Sequence, residues 1–402
     1  MTKKESNLSC VTYDIIRLES EVIVIMSEKA YKFRAYPNKK QQELFAKTFG
    51  CCRYVYNHYL DARITEYKTN GKSLNYYDNA NDLKMLKTTD TFLKEVDSIA
   101  LQSSLRDLDS AYQKFFKEHS GFPKFKSKKT HRYSYKTKNV NNNIEFLGKY
   151  IKLPKIGNVR IRNKHIPQGR ILNVTVSQEP SGKYYISICC TDVEIKELPK
   201  TNANIGIDLG IKDFCTLSNT DVIKNPTYLK KSLDKLAKLQ RQLSRKSKGS
   251  NNRNKARIKV ARLQGHITNQ RKDFLQQLST ELVRNYDLIA MEDLDIKAML
   301  EKKSNSLTNS QKSKINRATT DVSWSEFVRQ LQYKCDWYGK LLVKVDRYYP
   351  SSQLCSCCGY QNKEVKDLSV RHWVCPSCNT RHQRDVNAAI NILNEGIRVA
   401  NA

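Results

Sequence analysis

The chain has 402 residues, and its 71 Lys and Arg against 40 Asp and Glu give a formal net charge of +31. This excess disfavours an ordinary metabolic enzyme. It favours a nucleic-acid partner, because each phosphate neutralised by Lys or Arg releases condensed counterions; an anionic membrane surface is the competing partner. The longest apolar runs, such as residues 22–26, fall far short of the roughly 20 residues that a spanning helix needs.

Cysteine content and the first residues indicate the compartment. Glu19 and Glu21 interrupt any apolar segment that could serve as a signal peptide. Twelve cysteines without such a signal point to a reducing environment rather than to a disulfide framework. We therefore expect a cytoplasmic protein.

Residues 1–25 show little pattern, and a better organised sequence begins at Met26. We hypothesise that residues 1–25 are an extension and that translation starts at Met26. The intact mass of the native protein tests this, since a mass matching all 402 residues would contradict it.

The region after Met26 predicts a small β-barrel interrupted by helices. Apolar residues alternate with basic ones up to Pro37, which predicts a strand. Asn38 is suited to cap a helix, and a further helix is predicted over residues 98–118. Short strands separated by turns follow, over residues 150–153, 159–161, 171–176 and 184–190. The predicted domains are a barrel at 26–38 and 120–198 and a helical insertion at 39–119.

A different pattern begins after a linker at residues 199–204. Strands alternate with helices, which is typical of an α/β domain. The predicted strands are 205–208, 214–217, 288–291 and 341–345, and the predicted helices are 227–246, 253–284, 325–338 and 385–393. The predicted α/β domain covers residues 199–350 and 383–402, which makes the whole chain an α+β multi-domain protein.

Three acidic residues occupy unusual positions in this α/β domain. Asp208 ends the strand in GIDLG, Glu292 ends the apolar strand LIAME, and Asp385 opens the last helix in RDVNAA. A carboxylate at the end of a buried strand must be paired, hydrogen-bonded or metal-bound. Each acid alone is more often a solvated strand end or a helix cap. Together they predict two Mg²⁺ ions about 4 Å apart that clamp a phosphodiester.

Four cysteines near the end form two CxxC pairs separated by sixteen residues: Cys355, Cys358, Cys375 and Cys378. This spacing predicts one tetrahedral Zn²⁺ in a ribbon at residues 351–382, with a redox pair as the alternative. Four sulfurs leave no open position, so the zinc is structural. Cys357 and, less plausibly, His382 could compete as ligands. Two further pairs of cysteines are adjacent in the sequence and are expected to be ordinary packed residues: Cys51 with Cys52, and Cys189 with Cys190.

Two stretches carry most of the net positive charge. Residues 223–272 contain 16 Lys and Arg against one acid, and residues 113–170 contain 16 against two. A charge run is usually a solvated face, but the second stretch interleaves aromatic residues that could stack on unpaired bases, namely Phe122, Phe125, Tyr133 and Tyr135. The predicted nucleic-acid contacts are Lys124, Phe125, Lys126, Lys128, Lys129 and Arg132.

The motifs GIDLG, AMEDL and RDVNAAINIL, in this order, resemble the split catalytic core of a RuvC, ribonuclease H-like nuclease. Three more stretches narrow the resemblance to the TnpB family of insertion-sequence transposons: KAYKFRAYPNKKQQELFAKTFGCCRYVYNHYL, GFPKFKSKK, and SSQLCSCCGY with WVCPSC. The resemblance covers nearly everything from Met26 to Asn394. It implies a wedge-like barrel, a RuvC-like domain with an inserted zinc ribbon, and catalytic acids at Asp208, Glu292 and Asp385.

The resemblance also implies a function. It is that of a Mg²⁺-dependent RNA-guided DNA endonuclease, which uses a guide RNA from the transposon end and cuts double-stranded DNA beside a short motif. The resemblance implies neither a membrane partner nor a small-molecule substrate. It implies that the protein acts in the prokaryotic cytoplasm, at the nucleoid. The alternatives are a nuclease-silent RNA-guided DNA-binding regulator, a strand-joining transposase, and a CRISPR effector.

Two residues depart from the family pattern. Asn379 stands where relatives often have Gly, and Asn tolerates the left-handed backbone that such a turn requires. Gln383 stands where relatives often have Asp, which removes a peripheral acid and leaves the three principal acids in place.

Overall fold

The computed structural model describes residues 15–16, 24–131, 133–163, 165–301, 308–367 and 369–402. Most of the predicted extension 1–25 lies outside these residues. The chain forms two compact units, of which one includes Met26–Glu194 and the other includes Ile195–Ala402. Within the described part of the chain, no helix combines the length and apolarity needed to cross a membrane.

The described residues of the first unit form three α-helices: α1 (Lys39–Asn70), α2 (Tyr76–Thr89) and α3 (Ser98–Glu118). Helix α1 begins after Asn38, as predicted. The Asn38 side chain accepts a hydrogen bond from the Gln41 backbone N–H at 2.8 Å, and the Gln41 side chain accepts one from the Asn38 N–H at 3.1 Å. This reciprocal pair satisfies two N–H groups that the helix itself leaves free. The predicted helix over residues 98–118 is confirmed, whereas α2 was not predicted.

One curled sheet has eight strands, most of them in the first unit: β1 (Ile15–Ile16), β2 (Val24–Tyr36), β3 (Tyr133–Lys138), β4 (Glu145–Leu147), β5 (Tyr150–Leu153), β6 (Gly157–Arg162), β7 (Arg170–Gln178) and β8 (Tyr184–Lys196). Their order is β3-β7-β8-β2-β6-β5-β4, with β1 paired to the start of β2. The four predicted strands between residues 150 and 190 are all present; the first has the predicted bounds and the other three are longer. Closure of the sheet into a wedge-like barrel stays a prediction.

Strand β3 corrects one expectation. Tyr135 is buried, with its ring 5.7 Å from that of Phe49, and Tyr133 stacks on Phe49 at 5.9 Å. The alternation in β3 turns Tyr135 and Thr137 into the core. The prediction that Tyr135 offers a stacking platform for bases was therefore wrong.

Five strands of the second unit form a mixed sheet: β9 (Asn204–Leu209), β10 (Asp213–Leu217), β11 (Val222–Lys224), β12 (Leu288–Glu292) and β13 (Leu341–Val345). The order is β11-β10-β9-β12-β13, and β9, β12 and β13 run parallel. A separate hairpin pairs β14 (His372–Val374) with β15 (Arg381–Gln383). The predicted alternation of strands and helices is confirmed.

The described part of the second unit contains the helices α4 (Tyr228–Ser244), α5 (Asn251–Asn285), α6 (Ile296–Glu301), α7 (Asn309–Val322), α8 (Trp324–Tyr338) and α9 (Arg384–Ala400). Helices from this set cover both faces of the sheet. On one face, Ile205 and Ile207 of β9 share a core with Leu275 of α5 and Phe327 of α8. On the other face, Val343 and its neighbours pack against α9. Burial on both faces explains why β12 reads as a continuous apolar run.

The basic stretch 223–272 forms helices α4 and α5. Helix α4 has no capping side chain of its own, and the Asp321 carboxylate of α7 accepts from the Leu229 N–H at 3.1 Å instead. The same carboxylate pairs with Arg271 of α5 at 2.7 Å. Asp321 therefore fixes the start of α4 against α5.

Candidate active site and metal centre

The parallel pairing of β9 and β12 brings two of the predicted acids to one edge of the sheet. Met291 lies opposite Ile207 in the register, so the next residue of each strand, Glu292 and Asp208, emerges at the same end. Residues at the carboxyl ends of neighbouring parallel strands are where α/β sheets place ligands. The predicted closeness of these two positions is therefore built into the sheet.

Helix α9 carries the third acid to the same edge. Asp385 lies in its first turn, and the Gln383 side chain caps the helix by accepting from the Val386 N–H at 2.6 Å. The helix lies against the sheet because Gly206 has no side chain. A Cβ at this position would lie 2.1 Å from the carbonyl oxygen of Ala389.

All three acids line one cavity of about 470 Å³. Its other lining residues include several donors and cations: Lys212, Ser351, Arg371, His372 and Arg384. Arg371 donates from Nη1 to both carboxylate oxygens of Asp385, at 3.1 and 3.2 Å. Anionic oxygens and cationic side chains thus face the same space.

The pKa values of two of these carboxyl groups are raised. Burial, followed by the charges of Glu292 and Asp385, raises the pKa of Asp208 to about 8. Burial also raises the pKa of Glu292, although the Ser351 hydroxyl, which donates to its Oε1 at 2.6 Å, opposes the shift. Repulsion between buried carboxylates is what a divalent cation relieves, and an all-oxygen donor set suits Mg²⁺. The residues present therefore fit the predicted magnesium ions.

The four predicted cysteines meet at a second centre, separate from the acids. The Sγ atoms of Cys355 and Cys378 lie 3.6 Å apart, as do those of Cys358 and Cys375. All four sulfurs fall within 4.8 Å of one another. Tetrahedral thiolates bound to zinc at about 2.3 Å would have sulfurs about 3.8 Å apart. The cluster therefore has the size that one zinc ion requires.

Two matching turns aim these sulfurs. Gly359 donates its N–H to the Cys355 carbonyl with φ at 75°, and Asn379 donates its N–H to the Cys375 carbonyl with φ at 57°. Both residues take the left-handed conformation. The prediction that Asn379 preserves the turn is confirmed.

The competing ligands also lie nearby. His382 Nε2 is 3.1 Å from the Cys355 Sγ, and Cys355, Cys357 and His382 form a second group whose ligand atoms lie within 4.8 Å. The two pairs of sequence-adjacent cysteines are packed residues, as expected. Cys51, Cys52 and Cys190 are buried, and Cys189 is half-buried.

Two asparagines of α9, which the sequence analysis did not single out, tie the helix to the cysteine segment. The buried Asn387 donates to the Leu354 carbonyl at 2.6 Å and accepts from the Ser356 N–H at 3.0 Å. The buried Asn391 donates to the Ser351 carbonyl at 2.7 Å. Their spacing of four residues on an apolar helix face was the available signal, because buried amides need partners.

The predicted nucleic-acid contacts within the described residues lie in the first unit. Lys124, Phe125, Lys126, Lys128 and Lys129 are exposed. The Lys126 ammonium also lies 3.8 Å from the centre of the Tyr56 ring and 3.9 Å from an Asp107 oxygen. Arg132 lies outside the described residues.

Three stretches of the chain match known protein families. Residues 187–303 match a family described as "Probable transposase", and residues 324–392 match one described as "Cas12f1-like, TNB domain". Residues 26–72 match a "Helix-turn-helix domain". In this structure that last stretch holds most of β2 and all of α1.

Curated relatives match nearly the whole length. A Streptomyces pristinaespiralis protein named "Putative RNA-guided DNA endonuclease" is 39% identical over 375 residues, covering 92% of this chain and 90% of the relative. An Escherichia coli (strain K12) protein named "Putative RNA-guided DNA endonuclease InsQ" is 37% identical and covers 92% of each chain. A chain from "Cryo-EM structure of the Cas12f1-sgRNA-target DNA complex" aligns at a TM-score of 0.34 and 17% identity, covering 92% of this chain and 99% of that one. A TM-score at that level does not establish a shared fold.

Proposed function

The chain belongs to the TnpB family, and from this premise we propose that it is an RNA-guided DNA endonuclease. Its partners are a guide RNA from the transposon end and a double-stranded DNA target beside a short motif. The observation that carries the proposal is the cavity in which Asp208, Glu292 and Asp385 meet next to cationic side chains. Base pairing would supply sequence specificity, while the protein holds the duplex by its backbone.

The reaction is hydrolysis of a DNA phosphodiester. Two bound Mg²⁺ ions would supply an activated water and stabilise the leaving oxygen. Asp208 and Glu292 would hold the metals from the strand ends, and Asp385 would complete the second position. Ser351, by donating to Glu292, would fix the direction in which that carboxylate points.

The cationic residues of the cavity would bind the DNA backbone. Lys212 and Arg371 line the same space as the acids, so a phosphate held there lies beside the carboxylates. Arg371 would also orient Asp385, to which it donates. Charge-assisted hydrogen bonds of this kind are the strong ones in a partly buried site.

The segments outside the acidic cavity would bind zinc and guide RNA. The cysteine cluster would hold one structural Zn²⁺ in a ribbon at residues 351–382, inserted into a RuvC-like domain at 199–350 and 383–402. The barrel segments 26–38 and 120–198 and the helical insertion 39–119 would bind guide RNA and test the adjacent motif. The exposed Lys124, Phe125, Lys126, Lys128 and Lys129 are the proposed nucleic-acid contacts in this part.

The experiment is guided cleavage by the full chain. The protein is expressed with its flanking transposon DNA, co-purifying RNA is sequenced, and the complex meets matched targets beside a randomised motif in Mg²⁺. We expect guide-dependent cutting that Glu292→Gln abolishes while target binding persists. The matched control is Asp293→Asn, because Asp293 is the adjacent acid but pairs with Arg347 at 3.3 Å and does not line the cavity.

Three outcomes would contradict the proposal. Bound RNA and target occupancy without cutting would indicate a regulator. The absence of any bound RNA would reopen the strand-joining transposase. Equal loss of cutting in the Asp293 variant would remove the special role of Glu292.

A further inference from the structure

The first unit contains a second cavity, which the proposed nuclease does not use. It has a volume of about 690 Å³ and lies between the ends of α1 and α3, beside the start of α2. This volume is within the range of pockets that hold small ligands. Of its lining residues, Phe122 is one of the aromatic residues predicted to stack on unpaired bases.

Five aromatic side chains line the cavity, and three of them are exposed to solvent. Tyr67, Phe116 and Phe122 are 62%, 67% and 45% exposed. Tyr112 and Phe115 each meet the Phe122 ring edge-on, at 5.7 and 5.3 Å. A clustered exposed aromatic surface marks an interaction site, since isolated exposure would carry no such meaning.

The charged residues of the lining are mostly cationic. Arg63, only 7% exposed, places its guanidinium 5.2 Å from the centre of the Tyr112 ring. Asp109, the acid in the lining, is already paired with Arg63 at 3.3 Å. Lys68 and Lys117 are further lining residues. The cavity therefore combines aromatic faces with a surplus of positive charge.

We propose that this cavity binds an unpaired nucleobase of a single strand, with Phe116 as its stacking surface and Lys117 at the adjoining phosphate. The inference rests on the proposed function, in which guide RNA and unwound DNA both offer unpaired bases. Aromatic faces beside cations are the combination by which proteins hold single strands. A second copy of the chain is the less suitable occupant, because each copy carries a formal charge of +31.

Binding of single strands tests the inference without reference to cutting. The full chain is titrated with a fluorescent strand of about 10 nucleotides, as RNA, as DNA and as the matching duplex, at several salt concentrations. We expect Phe116→Ala to weaken single-strand binding about fivefold or more, with an unchanged salt dependence, and Phe116→Trp to restore it. Lys117→Ala should instead reduce the slope of log affinity against log salt by about 0.7.

The matched control is Tyr77→Ala, because Tyr77 is a 72% exposed aromatic of α2 that does not line the cavity. Photo-crosslinking through a thio-substituted base should also label peptides that contain Phe116 or Tyr67. A stronger effect on RNA would assign the cavity to the guide, and a stronger effect on DNA would assign it to an unwound target strand.

Several results would overturn the inference. One is an affinity of the Phe116→Ala protein equal to that of the Tyr77→Ala protein; another is an equal loss for the duplex. A wild-type dimer that Phe116→Ala dissociates in sedimentation would make a second copy the occupant. Guided cleavage by the same wild-type preparation separates the two proposals. Cutting without Phe116-dependent binding refutes only the cavity, and binding without cutting refutes only the nuclease.

Discussion

Gly206→Ala should damage the candidate active site without touching a carboxylate. The added Cβ would lie 2.1 Å from the Ala389 carbonyl oxygen and 2.8 Å from the Leu393 Cβ. The nearest obstacle is backbone, which cannot rotate away as a flexible side chain would. Helix α9 must therefore move off β9, and Asp385 moves with it.

The magnitude follows from the contact. Overpacking a well-filled core typically costs about 1–3 kcal/mol, and a clash with helix backbone places this substitution at about 3 kcal/mol. For a unit the size of Ile195–Ala402, each kcal/mol lowers the unfolding midpoint by about 2–4 °C. We therefore expect a midpoint about 6–12 °C lower than in the wild type.

Tryptophan fluorescence during thermal unfolding measures this selectively. All three tryptophans of the chain, Trp324, Trp337 and Trp373, lie in the second unit. The control is Gly265→Ala in α5, where the Cβ would meet nothing within 4 Å. Replacing a helical Gly in open space should stabilise by about 1 kcal/mol. The two substitutions are chemically identical and should shift the midpoint in opposite directions.

A Gly206→Ala protein with an unchanged or higher midpoint would refute the packing argument. A lower midpoint with full guided cleavage at low temperature would refute the claim that Asp385 depends on this contact. A lower midpoint together with a loss of guided cleavage in the Gly206→Ala protein would support the dependence of Asp385 on this contact, provided that the Gly265→Ala protein still cleaves its target.

Three further predictions concern charge and metal. With metals chelated, Asp208→Asn should raise the unfolding midpoint at pH 8 but not at about pH 4. Burial, followed by the acidic neighbours, raises the pKa of the Asp208 carboxyl to about 8, so the folded wild-type protein loses stability as the pH rises from about 4 to about 8. Equal shifts of the midpoint at both pH values would contradict this. Cys375→Ser should lower the bound zinc measured by atomic absorption and lower the midpoint of the second unit, since structural zinc sites contribute folding energy, and a full zinc content would refute the ligand set. Burial opposes ionisation of Asp287, but Lys340 and two backbone N–H groups outweigh it and lower its pKa to about 2. Asp287→Asn should therefore cost about 2 kcal/mol in denaturant unfolding at pH 7, and this difference should shrink as pH falls from about 4 to about 2.

Segments with a strong apolar pattern were predictable from the sequence. Strand β12 is wholly apolar before its acid, and α3 carries a clear apolar stripe, so both were found. Helices α2 and α7 were missed because they bury little. The buried residues of α2 are Asn79 and Leu83, and those of α7 are Thr319 and Val322. Helices held mainly by caps leave no periodicity to detect.

The positions of the site residues were likewise predictable from the sequence only in part. The positions of Asp208 and Glu292 at strand ends predicted a shared edge, because parallel strands carry their ends together. The partner of Asp385 was not predictable, since Arg371 reaches it only after the β14–β15 hairpin folds back. Lys126 shows the same limit, because its ammonium is engaged by Tyr56 in the tertiary structure.

The order of the acids along the chain has a consequence during synthesis. Asp208 and Asp385 are separated by 177 residues, and at about 5–20 residues per second the ribosome needs about 10–35 s to pass from one to the other. Strand β9 pairs with β12, and α9 then covers both, so the last acid arrives after the sheet that receives it. A nascent chain interrupted before α9 carries basic surface and two strand-end carboxylates without the third. Such a fragment could hold nucleic acid long before it could cut it.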